Sequence, residues 1–389
     1  MSNQHKAVCN ALQPFGTTIF TEINRLCAQA GAVNLSQGFP DFDGPEPIRR
    51  LAARRILEGP NQYSPSPGVP SLRQAISGKV KRFYDVEIDP ETEVTVTCGA
   101  TEAIASAFLG ILEPEDEVIL FEPCYDLYPP LVARAGAKAI YVPLERPGFR
   151  LPRDQLERAF GPKTRLIVIN NPLNPIGKVF SREELEFISE LCREHDVIPL
   201  SDEVYEHIVY RGREHIPLFQ IPSLRERSIV VSSTAKTFSM TGWKVGYVIS
   251  SPWLTEAVRM AHQFLTFCTP SALQEAMAEA IDLDDSYYEE LLALYSGKRE
   301  MLSQVLEDLG FQVLWPEGAY YTCISIGRLG FEDDMAFCRY LINEVGVAAI
   351  PCSYFWHNRR GGRDLVRFCF CKTDETLEQA IERLKRWRG

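Results

Sequence analysis

No apolar run in this chain approaches the ~18 residues that a membrane-crossing helix needs. The first ten residues, MSNQHKAVCN, hold neither an apolar stretch nor a small-residue cleavage site, so no export signal is expected. Paired cysteines are missing too. The 11 cysteines are odd in number and scattered, no CxxC occurs, and the six histidines stand apart from one another. That excludes a disulfide framework and leaves no metal-ligand spacing. The expectation is a cytoplasmic protein that uses its thiols as small apolar filler and binds no metal. Positive charge is in deficit: 41 Lys and Arg stand against 52 Asp and Glu, a net −11. Such a surface repels phosphate backbones, which argues against nucleic acid but not against one small anion in a locally basic pocket. The GxGxxG dinucleotide fingerprint is also absent.

What is present is ordinary globular composition, 45% hydrophobic and 24% charged over 389 residues. That length can bury a large core and fits two or three domains. Segments 17–29 and 46–58 read as helices, separated and followed by Gly/Pro-rich extended stretches at 35–45 and 59–70. From residue 93 short β-rich runs alternate with helical segments, at 94–97, 117–121, 139–142, 166–169, 198–201, 229–232 and 245–249. Several are apolar on both faces, which predicts an α/β fold with a mainly parallel sheet covered on both sides. Ser181 with Glu184 three residues on is a capping box for one intervening helix. After about residue 286 the pattern becomes α+β: helices at 286–309, 332–344 and 375–387, and strands at 313–315, 320–326 and 365–371.

In open α/β sheets, ligands bind outside the carboxyl ends of the strands. Those ends carry Gly99-Ala100-Thr101, Tyr125, Asn174, Asp202 with Tyr205, and Ser233 with Lys236. Each has two readings. The first three residues open a helix whose free N–H groups suit a phosphate, or Thr101 is simply its N-cap. Asp202 ends an apolar strand and needs a cationic partner, or it is a structural ion pair. Lys236, held from water, has a lowered pKa and becomes a nucleophile, or it is a surface lysine. Lys244 returns to hold an anion, or it is an exposed strand-edge charge. Arg367 alternates with apolar residues in Leu-Val-Arg-Phe-Cys-Phe; it aims its fork at a carboxylate in a cleft, or it faces water.

Taken together, Ser233-Thr-Ala-Lys236-Thr-Phe-Ser-Met-Thr-Gly-Trp-Lys244, Asn170-Asn-Pro-Leu-Asn174-Pro-Ile-Gly and Ser201-Asp202-Glu-Val-Tyr205 resemble motifs of the fold-type I, pyridoxal-phosphate-dependent aminotransferases of class I. The likeness runs from about Gly16 to the last helix. Asn34-Leu-Ser-Gln-Gly-Phe-Pro resembles the methionine, glutamine and kynurenine branch, and N-succinyldiaminopimelate aminotransferases look similar there. The chain departs from the pattern at Ile176, where Thr or Ser is common, and at Lys244, where many members have Arg. Cys268 stands where kynurenine-type relatives carry His.

The resemblance implies a large domain with a mixed, mainly parallel sheet at 46–285. A smaller α+β domain would be formed by 286–389 with the N-terminal segment 1–45. Lys236 would hold pyridoxal phosphate as a Schiff base and then move the substrate's Cα proton, with Asp202 on the pyridine nitrogen. Asn174 and Tyr205 would bond the phenolic oxygen, and Tyr125 would stack on the ring. Gly99, Ala100, Thr101, Ser233 and Lys244 would take the phosphate, joined by Tyr63 from a neighbouring subunit of a homodimer. Arg367, with Asn174 and the backbone of Gly38, would clamp the substrate carboxylate. Phe20, Phe355 and the partner-supplied Phe267 would form the side-chain pocket. Three aromatics favour an apolar, thioether or aromatic amino acid as donor to a 2-oxo acid. The alternatives are a cysteine-S-conjugate β-lyase or an N-succinyldiaminopimelate aminotransferase.

Overall fold

The computed structural model describes residues 8–387, so the first seven residues of the expected leaderless N-terminus and of the 1–45 segment lie outside it. Its strands are β1 (Val33–Asn34), β2 (Val94–Thr97), β3 (Glu117–Glu122), β4 (Lys138–Pro143), β5 (Thr164–Asn170), β6 (Ile198–Asp202), β7 (Ile229–Ser233), β8 (Gly246–Ser250), β9 (Gln312–Leu314), β10 (Tyr321–Ser325), β11 (Val347–Ala348), β12 (Ile350–Pro351) and β13 (Leu365–Cys369). Each β-run expected between residues 93 and 250 is a strand here, with bounds within two residues. Together they form one seven-stranded sheet, in the order β2-β8-β7-β6-β5-β3-β4.

Both faces of this sheet are apolar, as the runs required. Val118 and Leu120 of β3 pack into the core shared with the helices Gly99–Ile111 and Pro252–Leu265. Their neighbours Ile119 and Phe121 point to the opposite core, shared with Leu185 and Ile188 of the helix Arg182–Glu194. That helix begins as its sequence dictates. The Ser181 side chain accepts from Glu184 N–H, and the Glu184 side chain accepts from Ser181 N–H.

One strand departs from the parallel reading. β8 pairs antiparallel with both β7 and β2, while the other neighbours in the sheet run parallel. The reason lies in the connection. A parallel crossover usually runs through a helix long enough to span the sheet. Between Ser233 and Gly246 the chain makes only the one-turn helix Thr234–Thr237 and a 3₁₀ turn at Thr241–Trp243, then turns back. This reversal sets the site. The carboxyl ends of β5, β6 and β7 and the amino end of β8 now share one edge.

The C-terminal part builds a separate antiparallel sheet, β12-β13-β10-β9. The N-terminal segment joins it from outside: β1 pairs parallel with β11, and Cys369 N–H donates to the carbonyl of Leu35 at 2.8 Å. The strand expected through residue 371 stops at Cys369, because Lys372 N–H bonds back to the Phe370 carbonyl at 2.8 Å. No helix among the described residues is long and apolar enough to cross a membrane.

Candidate active site

The shared edge opens into a cavity of about 320 Å³. Its lining includes Phe20, Gly38, Gly99, Ala100, Thr101, Tyr125, Asn174, Asp202, Tyr205, Ser233, Lys236, Lys244 and Arg367. Residues from 20 to 367 thus meet in one place because strand order, not chain order, decides proximity.

Asp202 is the last residue of β6 and is buried. Its Oδ2 accepts from the Tyr128 hydroxyl at 2.7 Å, while its Oδ1 has no partner. Burial lifts the carboxyl to about 6, against the pull of the Tyr128 hydroxyl and of Lys236. Lys236 lies in the one-turn helix after β7, and its Nζ donates to the Gly38 carbonyl at 3.3 Å. Burial pushes its pKa down from the ordinary lysine value.

The strand-to-helix turn at Gly99 carries no side-chain cap; Thr101 lies within the first turn rather than at the N-cap, which is Cys98. Close approach is needed here. A Cβ on Gly246, the first residue of β8, would sit 2.5 Å from the carbonyl carbon of Gly99 and 2.7 Å from the nitrogen of Ala100. Lys244 reaches the same turn, its Nζ 3.2 Å from where a Cβ on Gly99 would be. It makes no ion pair among the described residues. The Ser233 hydroxyl faces the cavity but already bonds the Val245 carbonyl at 3.2 Å and accepts from Ala235 N–H at 3.1 Å.

Arg367 is fully buried on β13. Its guanidinium donates to Asn174 Oδ1 at 2.6 Å and to the Ser36 carbonyl at 2.9 Å, and it lies 4.1 Å over the Tyr321 ring. Its Nε has no partner, and no carboxylate pairs with it among the described residues. A buried cation in that state is costly unless an anion joins it.

Three expected residues lie outside the cavity lining. Phe355 is buried behind it, edge-on to Phe20 at 6.3 Å and 5.5 Å from the guanidinium of Arg367. Tyr63 and Phe267 instead pack edge-on against each other at 5.3 Å on the outside, with Tyr63 84% exposed. The carbonyl of Gly38 is taken by Lys236 and by the Tyr320 hydroxyl.

Other residues of the site escape a motif reading. Asn170 donates to the Asp202 carbonyl at 3.0 Å and accepts from Asn174 N–H at 2.8 Å, so it sets where Asn174 points. The Tyr321 hydroxyl bonds that of Tyr205 at 2.8 Å. Tyr128 could be read only as an aromatic neighbour of Tyr125; the rings are indeed T-shaped at 5.8 Å, yet its hydroxyl serves Asp202.

A buried lysine of lowered pKa, a carboxylate with one free oxygen and an unpaired arginine in one cavity are the equipment of amine chemistry on a carboxylated substrate. Comparison with known proteins places this equipment. The family described as aminotransferase class I and II matches residues 30–384. The chain belongs to that family. This aminotransferase is 44% identical over 383 residues to a protein of Mycobacterium tuberculosis named probable N-succinyldiaminopimelate aminotransferase, with 96% of each chain covered. Against the solved structure of the N-succinyldiaminopimelate aminotransferase from that organism the TM-score is 0.94, over 97% of this chain and 99% of the other. It is 38% identical to the methionine aminotransferase of Escherichia coli, covering 99% of this chain and 100% of that one. A Thermus thermophilus aspartate aminotransferase variant superposes with a TM-score of 0.90 at 30% identity, over 98% and 99% of the two chains.

The protein is therefore a transaminase of fold type I, and its cofactor is pyridoxal phosphate. The residues fit that group. The free Oδ1 of Asp202 can accept from a protonated ring nitrogen. The cradle kept open by Gly99 and Gly246, with Lys244 beside it, suits a phosphate.

Proposed function

We propose that this transaminase moves the amino group of an L-amino acid with an apolar, thioether or aromatic side chain to a 2-oxo acid. The fully buried Arg367, bonded to Asn174 and Ser36 yet lacking an anion, carries the reading, because it shares a cavity with Lys236. The cations lining that cavity are Lys236, Lys244 and Arg367. Amine chemistry, a phosphate and an α-carboxylate occupy all three, which leaves none among the described residues for a second carboxylate. Phe20 supplies apolar wall near Arg367 instead.

When bound, pyridoxal phosphate supplies an aldehyde that condenses with amines and a ring that takes up the electrons released at Cα. Lys236 Nζ holds it and later takes the proton leaving Cα, for which a depressed pKa is suited. Asp202 Oδ1 holds a proton at the ring nitrogen. Asn174 and Tyr205 would bond the phenolic side, and Tyr125 would pack against the ring. Gly99, Ala100, Thr101, Lys244 and, by giving up its present bond, Ser233 bind the phosphate. Arg367, with Asn174 and Gly38, fixes the carboxylate so that the Cα–H bond can stand across the ring plane.

In the same reading the chain acts as a cytoplasmic homodimer. Tyr63 and Phe267 would face the partner's site, and exposed Phe264 and Leu57 would be covered. All 11 cysteines are free, as a reducing compartment requires. Residues 1–45, 46–285 and 286–389 would be arm, large and small domains; the two separate sheets and the β1–β11 pair support this division.

A second substrate, N-succinyldiaminopimelate, is favoured by the 44% identical Mycobacterium relative. Single-turnover spectra with methionine, phenylalanine, glutamine, kynurenine and N-succinyldiaminopimelate decide between them. Reaction with the last alone would refute the apolar reading. Release of pyruvate and ammonia from a cysteine conjugate would show lyase chemistry on the same residues.

A further inference from the structure

Behind the Gly99 turn lies a charged pair whose polar atoms are all engaged. His262, in the last turn of the helix Pro252–Leu265, is fully buried. Its Nδ1 lies 3.0 and 3.1 Å from the two carboxylate oxygens of Glu102, and its Nε2 lies 2.9 Å from the carbonyl oxygen of Ser66. The Thr266 hydroxyl is 3.3 Å from Nδ1. Glu102 also accepts from Cys98 N–H at 3.0 Å and from the Ser106 hydroxyl. An ionised carboxylate and a carbonyl are both acceptors, and both ring nitrogens then donate. With Glu102 ionised, that makes the ring an imidazolium. Burial alone would push its pKa down, but the Glu102 carboxylate overcomes this and holds it above the ordinary value.

Glu102 sits in the first turn of the helix Gly99–Ile111. An anionic side chain there repels any dianion held by the N–H groups of Gly99, Ala100 and Thr101, unless a fixed cation cancels it. His262 is that cation. It also anchors Ser66, three residues after Tyr63. We propose that His262 is a positioning residue for the cofactor's phosphate: it neutralises Glu102 and ties the segment bearing Tyr63 to the phosphate turn. This rests on the reading that residues 99–101 and Lys244 hold the phosphate.

The test titrates cofactor-stripped protein with pyridoxal phosphate and, separately, with pyridoxal, which lacks the phosphate. His262→Gln should weaken the first by roughly tenfold or more while pyridoxal binding stays unchanged, which also reports a folded site. The double variant Glu102→Gln/His262→Gln should regain most of the loss, because the uncompensated anion is gone. Equal losses for both ligands, no loss, or no recovery in the double variant would overturn the proposal. Lys244→Met separates the two levels. If it selectively weakens pyridoxal phosphate and His262→Gln does not, only the His262 inference fails. If neither variant discriminates the ligands, the phosphate reading fails with it. Should His262→Gln not fold, Glu102→Gln alone decides: it should keep or tighten pyridoxal phosphate binding, and a selective weakening would refute the role.

Discussion

Replacing Asp202 by Asn should stabilise the protein stripped of cofactor and cripple the protein that holds it. The carboxyl is buried with Oδ1 unpartnered, and its pKa rises from 3.8 to about 6. That rise is worth about 3 kcal/mol of destabilisation once the group is ionised. The sign follows from proton binding. Between about 4 and 6 the folded state holds the proton more tightly than the unfolded chain, so stability falls as pH rises through this window. Below it both states are protonated and the cost vanishes; above it the cost is complete. Asn keeps an oxygen for Tyr128 but leaves an amide N–H where Oδ1 lacked a partner, which returns about 1 kcal/mol or more. The net expectation at pH 7.5 is a gain of about 1–2 kcal/mol for the stripped variant, and no gain near pH 4. With pyridoxal phosphate bound the order should reverse, since wild type then satisfies Oδ1. Thermal midpoints of both proteins, with and without cofactor, at the two pH values measure this. A difference independent of pH, or the same sign in both states, would refute the account of Asp202.

Further expectations follow from the same contacts. Lys236→Ala should abolish transamination while the chain stays folded, and borohydride should no longer fix the cofactor to it; retained turnover would remove Lys236 from the reaction. Arg367→Ala should cost about 3 kcal/mol in kcat/KM, roughly a hundredfold and mostly in KM, because a buried hydrogen-bonded clamp is lost; unchanged KM would place the carboxylate elsewhere. Tyr128→Phe removes the hydroxyl that donates to Asp202, worth about 1.5–3 kcal/mol for a charged acceptor. The Asp202 pKa should climb further, and the acid limb of stability in stripped protein should move to higher pH; an unmoved limb would mean that hydrogen bond is not formed. Lys236→Met should erase a gain in stripped-protein stability that wild type shows as pH rises toward the ordinary lysine range, since the folded state disfavours the charged amine.

The strands were legible because burial on both faces leaves an apolar signature, and Ser181 announced its helix through a local side-chain bond. The direction of β8 was not legible: residues 234–245 hold only a one-turn helix and a 3₁₀ turn, and periodicity does not say that a connection of that length turns back. At the site, residues that end strands could be expected to share one cavity, as they do, because position alone marks them. Tyr128, Asn170 and Tyr321 could not be, because each acts through a contact to a residue distant in sequence: Tyr128 on Asp202, Asn170 on the end of the neighbouring strand, Tyr321 on Tyr205. Phe355, expected at the pocket, is absent from the cavity lining and packs against Phe20 and Arg367.

The reversal between β7 and β8 has a mechanical consequence. Ser233 and Gly246 are register partners, and Thr234 N–H is bonded to the Val245 carbonyl at 3.1 Å. Both lysines of the cavity therefore hang on a short closed noose, stitched at its neck into the sheet between β2 and β6. The strip Gln37 to Phe39 closes the ring of contacts across the cavity: the Gly38 carbonyl takes Lys236 and the Tyr320 hydroxyl, and Lys372 Nζ grips the Phe39 carbonyl at 2.7 Å.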